Sequence, residues 1–375
     1  MRVLFASTRG VGHFNPLVPF VESALRGGHE VLVAGPPALA PTIEPTGYPF
    51  WEGENPPADV LDATWARVPQ VPPEQAEEIV VGEIFARLNV RAMLPSLRAA
   101  IGEWKPDLVI HEQAEFASAI AAHEAGVPHA RLGISLTALD RSWLEVAGPG
   151  IEEQHAGIAE VIWDTPYLTL FPAVLDDPEA QWPSDIRRFR DPAEPASGKP
   201  LPGWWEDDAL PLVYVSFGTV VGGTPMAGAL FGGALAAAAD LPARVLMTVG
   251  RELDVDELGP LPPNVHVERF VPQADVFAHV HLVVTHGGSG TTLGSLAAGV
   301  PLVVVPLFAD QPHNARRVAA VGAGVVAEPS GMREAIETVL GDPEYERAAQ
   351  RLAQEIAWLP PTDAAFDGEL LRGAR

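Results

Sequence analysis

The stretch THGGSGTTLGSLAAGVP at 285–301 sets glycines, small hydroxyl residues and one histidine, His286, between an apolar run and a helix-like run. Side chains this small leave room for the backbone itself to meet a ligand. Where a parallel strand feeds a helix, the turn lies at the carboxyl edge of the sheet, the side on which open α/β sheets bind ligands. The free N–H groups of the first helical turn, and the helix dipole, then favour an anion. Each such interaction contributes about 0.3–1 kcal/mol when exposed and up to ~2 when partly buried, so several converging on one diphosphate add up. Gly288, Ser289, Gly290 and Thr291 form the candidate cradle, with Thr292 offering a further hydroxyl. A second stretch, STRGVGHFNPLVPF at 7–20, places His13 in the pattern Gly-x-x-Gly-His behind another apolar run. Asn15 and Pro16 read as a helix N-cap and first helical residue, which leaves His13 on a loop at the ligand edge. Imidazole, with an ordinary pKa of about 6.5, suits proton transfer near neutral pH.

The neighbours of the glycine turn extend the pattern. RFVPQADV at 269–276 places Phe270 and Gln273 after one predicted strand, and PLFADQPHN at 306–314 ends the next with Asp310 and Gln311. A flat ring, a phosphate cradle and an acid–amide pair at neighbouring strand ends match three parts of one ligand: base, diphosphate and sugar.

These residues need parallel sheets to position them, and the sequence supplies two series. RVLFAS (2–7), EVLVAG (30–35), PDLVIHE (106–112) and VPHARLG (127–133) alternate with helix-like segments in the first half. LVYVSFG (212–218), RVLMTVG (244–250), NVHVERFV (264–271), HLVVTHG (281–287), PLVVVPLF (301–308) and AGVVAE (323–328) do so in the second. Short, continuously apolar strands separated by helices indicate doubly wound parallel sheets covered on both faces. The expected organisation is a Rossmann-like domain over 1–195, a proline-rich linker over 196–208, a second Rossmann-like domain over 209–358 and a terminal helical segment over 359–375. Trp204 and Trp205 are expected to pack the domain junction. The stretch from 52 to 95 is the least regular of the first half, and reads as either a binding wall or a floppy insertion.

Composition narrows the function. The chain has 375 residues, a formal net charge of −25, 24 Lys+Arg against 49 Asp+Glu, and no cysteine. Disulfides, thiolate metal sites and a cysteine nucleophile are thereby excluded, and so is the broad basic face a duplex binder needs. No apolar run reaches the ~18 residues of a membrane span, and the N-terminus reads as a buried first strand rather than a signal peptide. A cytoplasmic enzyme is expected, with a homodimer left open.

The stretch 269–324 resembles the nucleotide-sugar signature of family-1 glycosyltransferases, most closely the actinomycete enzymes of macrolide, polyketide and enediyne biosynthesis. The resemblance implies the GT-B fold, two facing Rossmann-like domains with an inter-domain cleft, and a C-terminal helix returning to the first domain. It further implies an inverting, metal-independent enzyme with no cofactor beyond its nucleotide-sugar donor. His286 would contact a donor phosphate, Phe270 would stack on the pyrimidine, and Asp310 with Gln311 would grip sugar hydroxyls. SFGT at 216–219 matches the turn beneath the phosphates, which adds Ser216 and Thr219; Gly12 joins the donor-binding set. His13 would be the catalytic base that takes the proton of the acceptor hydroxyl. Its orienting carboxylate is expected in DLVIHEQAEF (107–116), with Glu112 first and Glu115 or Gln113 as alternatives. Phe14, Trp65, Phe85, Phe116 and Trp143 are candidates for an apolar acceptor pocket, against the alternative of core packing. Plant relatives carry a ribose-chelating Glu where this chain has Gly294, which suggests a dTDP-sugar donor, with a UDP-sugar as the other option.

Three patterns read as structural. Asp254-x-Asp256 resembles a metal-binding pair but lies in an acidic, proline-bounded loop, His279 and His281 lack nearby carboxylates, and His111, His123 and His129 read as structural. A nucleotide-sugar epimerase of the same architecture and a non-catalytic partner of a transferase are the competing readings; the presence of both His13 and His286 weighs against them.

Overall fold

The structure is a computed structural model that describes residues 1–192, 210–218, 221–224, 226–250 and 253–367. The expected linker, Trp204–Trp205, Thr219 and the end of the terminal segment lie outside the described residues. The chain divides into two compact units, Met1–Pro192 with Leu359–Arg375, and Ala193–Trp358.

The first unit holds seven strands: β1 (Arg2–Ala6), β2 (Glu30–Gly35), β3 (Phe50–Glu52), β4 (Leu108–Glu112), β5 (His129–Leu132), β6 (Tyr167–Thr169) and β7 (Ile186–Arg188). They form a parallel sheet in the order β3-β2-β1-β4-β5-β6-β7. Alternate residues of β1 feed separate cores, Leu4 and Ala6 on one face and Val3 and Phe5 on the other. Burial on both faces explains why these strands read as unbroken apolar runs. Strand order reverses between β1 and β4, where Ala6 pairs with His111. The chain leaves both strands in the same direction there and opens a crevice at their carboxyl ends.

The helix after β1 begins earlier than the sequence suggests. Gly10, at φ 116°, turns the chain into a helical turn over Val11–Phe14, which continues through a tight turn at Asn15–Leu17 into the helix Val18–Arg26. Only glycine adopts that φ readily. Phe14, 1% exposed, anchors the first turn in the core. His13 therefore rides on a helical turn rather than a loop, and Asn15 is not an N-cap.

The 52–95 stretch is largely helical. Ala58–Trp65 is a helix, and Glu78–Asn89 forms a wide π-helical run that continues into the helix Val90–Trp104. π-Helices elsewhere occur mostly as single turns, often at functional sites. The wider turn brings Ile84, Phe85 and Asn89 onto one wall of a recess.

After β7 the chain returns to this unit at its far end. The turn Thr362–Phe366 seats against the helix Val18–Arg26. Ser23 Oγ and Thr362 Oγ1 lie 2.7 Å apart, and Arg26 Nη2 reaches Asp363 Oδ1 at 2.8 Å.

The second unit holds β8 (Leu212–Ser216), β9 (Arg244–Thr248), β10 (Val265–Glu268), β11 (Leu282–Thr285), β12 (Leu302–Val304) and β13 (Gly324–Val326). They form a parallel sheet in the order β10-β9-β8-β11-β12-β13. Its reversal falls between β8 and β11, where Ser216 pairs with Thr285. The glycine turn found in the sequence thus leaves the sheet at its switch point.

Candidate functional sites on the two sheets

At the first switch point Glu112 ends β4 fully buried. Its Oε1 accepts hydrogen bonds from Thr8 N at 3.1 Å and Thr8 Oγ1 at 2.7 Å, and lies 3.1 Å from His13 Nδ1. Its Oε2 accepts from Ala114 N at 2.6 Å. Burial alone would raise this carboxyl's pKa. The charge and hydrogen bond of His13, with the donors from Ala114 and Thr8, outweigh it and hold the group below the usual carboxylate range. An ionised carboxylate only accepts hydrogen bonds, so Nδ1 of His13 carries a proton whether the ring is charged or neutral, and in the neutral ring Nε2 is the basic nitrogen. That is the tautomer a general base requires.

The competing orienters are occupied elsewhere. Gln113 Oε1 accepts from Ser135 Oγ at 2.9 Å and Ile134 N at 3.3 Å. Glu115 accepts from Ser118 N at 2.9 Å, beside a short contact with Ser118 Oγ, at the start of the helix Ala117–Ala125. Thr8, which the sequence reading passed over, is the residue that fixes Glu112; a threonine just past a strand end carries no distinctive signal.

Beside this pair lies a recess with Trp65, Phe85 and Phe116 among its walls. The His13 and Phe85 rings meet edge to face with centroids 5.3 Å apart. Two expected pocket residues do not line it. Phe14 is buried in the core on the opposite face of the sheet, because it points inward from its helical turn. Trp143 packs, partly buried, against the core that the recess borders. Gly12 is exposed with open space around it.

At the second switch point the His286 ring is enclosed by two glycines. A Cβ on Gly218 would lie 2.8 Å from His286 Cε1, and one on Gly288 would lie 2.5 Å from Nε2. Gly218 has φ +77° besides, so neither position accepts a side chain without displacing the imidazole. Burial lowers the His286 pKa to about 4, against a hydrogen bond to the Ser216 main chain that raises it. The ring is neutral at pH 7 in the free protein. The helix Ser289–Ala297 starts directly after it, with Gly288 at the N-cap position.

The remaining second-unit candidates surround this turn. Asp310 Oδ2 accepts from Ser289 Oγ at 2.8 Å and from Asn314 Nδ2 at 2.9 Å. Asn314 also donates to Gly287 O at 2.8 Å, a bracing role the sequence reading missed. Its signal is the spacing of four from Asp310, which puts both on one helix face. Gln273 Nε2 donates to Thr291 Oγ1 at 3.1 Å. Gln311 is buried, and its amide oxygen accepts from Leu307 N and Phe308 N, so that oxygen is committed to the turn. Phe270 is 62% exposed. A Cβ on Gly294 would lie 2.6 Å from the ring of Phe277. The absence of a side chain at 294 therefore has a packing cause, independent of the nucleotide.

Asp254 has its own partners. It accepts from Asp256 N at 3.3 Å and pairs with Arg269 at 3.6 Å. Among the described residues no group of three potential ligands could hold a metal ion, and no helix is long and apolar enough to cross a membrane.

Over its full length the chain superposes on the solved glycosyltransferase VinC in complex with dTDP, with a TM-score of 0.77, 26% identity and coverage of 100% of this chain and 99% of that one. The fold is thus that of the GT-B glycosyltransferases. Family models of the erythromycin biosynthesis protein CIII-like proteins match residues 23–145 for the N-terminal domain and 233–368 for the C-terminal domain. The L-demethylnoviosyl transferase of Streptomyces niveus is 31% identical across 98% of this chain and 97% of its own length. The elloramycin glycosyltransferase ElmGT of Streptomyces olivaceus is 31% identical across 97% and 96%. The chain belongs to the erythromycin biosynthesis protein CIII-like family, and it is a glycosyltransferase of natural-product pathways.

Proposed function

We propose that the enzyme transfers a sugar, with inversion at the anomeric carbon, from a dTDP-sugar to a hydroxyl of a hydrophobic small molecule. The observation that carries this reading is the His13–Glu112 pair, in which a buried carboxylate 3.1 Å from Nδ1 orients the imidazole. In the reaction, the acceptor O–H gives its proton to His13 Nε2, and the oxygen attacks the anomeric carbon. The bond to the diphosphate breaks on the opposite face, and the diphosphate leaves with the electron pair. Glu112 stabilises the imidazolium that forms. The charge of the leaving group is met by the first-turn amides of Ser289–Ala297 and by His286. Ser289, Gly290 and Thr291 line that approach, Ser216 lies beneath it, and Phe270 supplies a face for the pyrimidine. Gln273, Asp310 and Gln311 complete the donor site.

The choice of dTDP is supported by VinC, which was solved with dTDP. It no longer draws on Gly294. The recess walled by Trp65, Phe85 and Phe116 receives the acceptor. The test is transfer from a dTDP-sugar of known anomeric configuration to a panel of hydrophobic hydroxyl compounds, read by mass and by the anomeric coupling of the product. A product with retained configuration, or donor loss without an acceptor adduct, overturns the reading.

A further inference from the structure

The recess of the first unit contains a carboxyl that the mechanism does not use. Glu115 lines it and is 3% exposed. The wall around it is otherwise mainly apolar, with Trp65, Phe85 and Phe116 contributing rings. Trp65 brings a second polar group: its Nε1 is buried with no hydrogen-bond partner among the described residues. Buried polar groups are normally satisfied, and an orphan beside a cavity calls for a partner from outside the chain.

We propose that Glu115 is a specificity-determining residue of the acceptor site, receiving a hydrogen-bond donor on the rim of a flat, mainly apolar acceptor. This rests on the proposed function, since it takes the recess as the acceptor site. The donor group is a hydroxyl or an amine; the shared chemistry is an N–H or O–H that a carboxylate accepts. Three aromatic walls favour a ring system, and a ring bearing one hydroxyl for His13 needs a second polar group to fix which hydroxyl reacts. Glu115 supplies that register mark at the side of the recess, while Glu112, saturated by Thr8, Ala114 and His13, has no capacity left for it.

Burial raises the Glu115 pKa to about 7, against the hydrogen bonds from Ser118, with the Glu112 charge adding to the rise. The other charged groups on the recess are Arg9, from the turn after β1, and Glu54, from the turn after β3; the helical segments Ala58–Trp65 and Glu78–Asn89 contribute no charged residue to its wall. Preference for a hydrogen-bond donor therefore strengthens as pH rises from 6 to 8.

The alternative is that Glu115 only caps the helix Ala117–Ala125 through Ser118. Glu115→Gln separates the two roles, because the amide oxygen still accepts from Ser118 while the amide nitrogen can only donate. The probes are 2-naphthols with hydroxyl, amine, methoxyl or hydrogen at carbon 6 or 7. Binding without donor is followed by fluorescence, and acceptor KM, donor KM and kcat are measured with donor present. Wild type is expected to bind a hydroxy or amino probe at least 10-fold more tightly than its methoxy and unsubstituted counterparts at pH 8, and less selectively at pH 6. The hydroxy and amino arms show which donor fits better. E115Q is expected to lose that preference and its pH dependence, with donor KM and thermal midpoint unchanged.

Equal binding of all probes by wild type, no binding of any, or an unchanged preference in E115Q overturns the proposal. Failure of the glycosyltransfer reading shows differently: selective binding by wild type with no sugar transferred to any bound probe.

Discussion

Glu112 Oε1 holds His13 Nδ1 at 3.1 Å while taking two further hydrogen bonds from Thr8. The carboxylate is thus fixed before any substrate arrives, and the imidazole inherits that orientation. Neighbouring strand ends, 104 residues apart between Thr8 and Glu112, meet to build one imidazole–carboxylate pair.

Replacing His13 by alanine removes the proposed proton acceptor and leaves the second unit untouched. Turnover is expected to fall by about 10²–10⁴, with donor affinity nearly unchanged. Turnover within a few-fold of wild type in a steady-state assay would show that another group takes the proton.

Glu112→Gln keeps the shape but sets an amide N–H₂ among donors from Thr8, Ala114 and His13. The expected result is a fall in kcat on the order of 10-fold to 10³-fold with donor KM unchanged. The acid limb of the pH–rate profile also moves to lower pH, because the imidazolium has lost its counter-charge. An unmoved acid limb means that Glu112 only braces the loop.

Two alanine substitutions in the glycine turn are expected to behave differently. Gly288→Ala brings a methyl to 2.5 Å from His286 Nε2 and displaces the ring, whereas a Cβ on Gly290 meets nothing within 4 Å. G288A should shift the His286 NMR signals in the free protein; G290A should leave them in place. Both should weaken dTDP binding by calorimetry, G290A because its methyl enters the space the diphosphate needs. Wild-type affinity for dTDP in G290A would move the diphosphate away from this turn.

Matched dTDP- and UDP-sugars test the nucleotide. A kcat/KM ratio of at least about 10 in favour of dTDP, roughly 1.4 kcal/mol, is expected. Equal ratios would assign the donor site to the pyrimidine diphosphate in general.

The buried pair His111–His129 sets an acid limit on the first unit. The two rings approach at 3.3 Å, Nε2 to Nδ1. Burial lowers the His129 pKa to about 4, and lowers that of His111 as well. The unfolded chain then binds more protons below pH 6.5, so stability is full above that value and is lost as pH falls toward 4. His129 alone accounts for about 3 kcal/mol of it. NMR titration should show the His129 ring still neutral at pH 5.5; a midpoint near 6.5 would contradict the burial argument.

The two series of parallel strands were legible in the sequence because strands buried on both faces read as continuous apolar runs; the strand order, and with it each switch point, was not. The glycine turn after β11 was legible because small residues cluster where a strand meets a helix; that Gly288 also makes room for the His286 ring was not. His13 was found, but its helical turn was not: Gly10 allows an early helix start that only φ reveals. β3, β6 and β7 were missed because three residues carry no period. Phe14 and Phe85 look alike in sequence, yet they lie on opposite faces of one sheet, and only packing decides which face holds the recess. Gly294 shows the converse. Its missing side chain was assigned to nucleotide choice, while Phe277 supplies a local reason.

The bond between Ser23 and Thr362 has a consequence for biogenesis. The first unit is begun before the second and completed after it, because a strip of it is encoded after the whole of the second. At roughly 5–20 residues per second, the interval between residue 192 and residue 359 lasts on the order of ten to thirty seconds. During that wait the flank of Val18–Arg26 stays uncovered, and a chain cut short before residue 359 leaves that flank open.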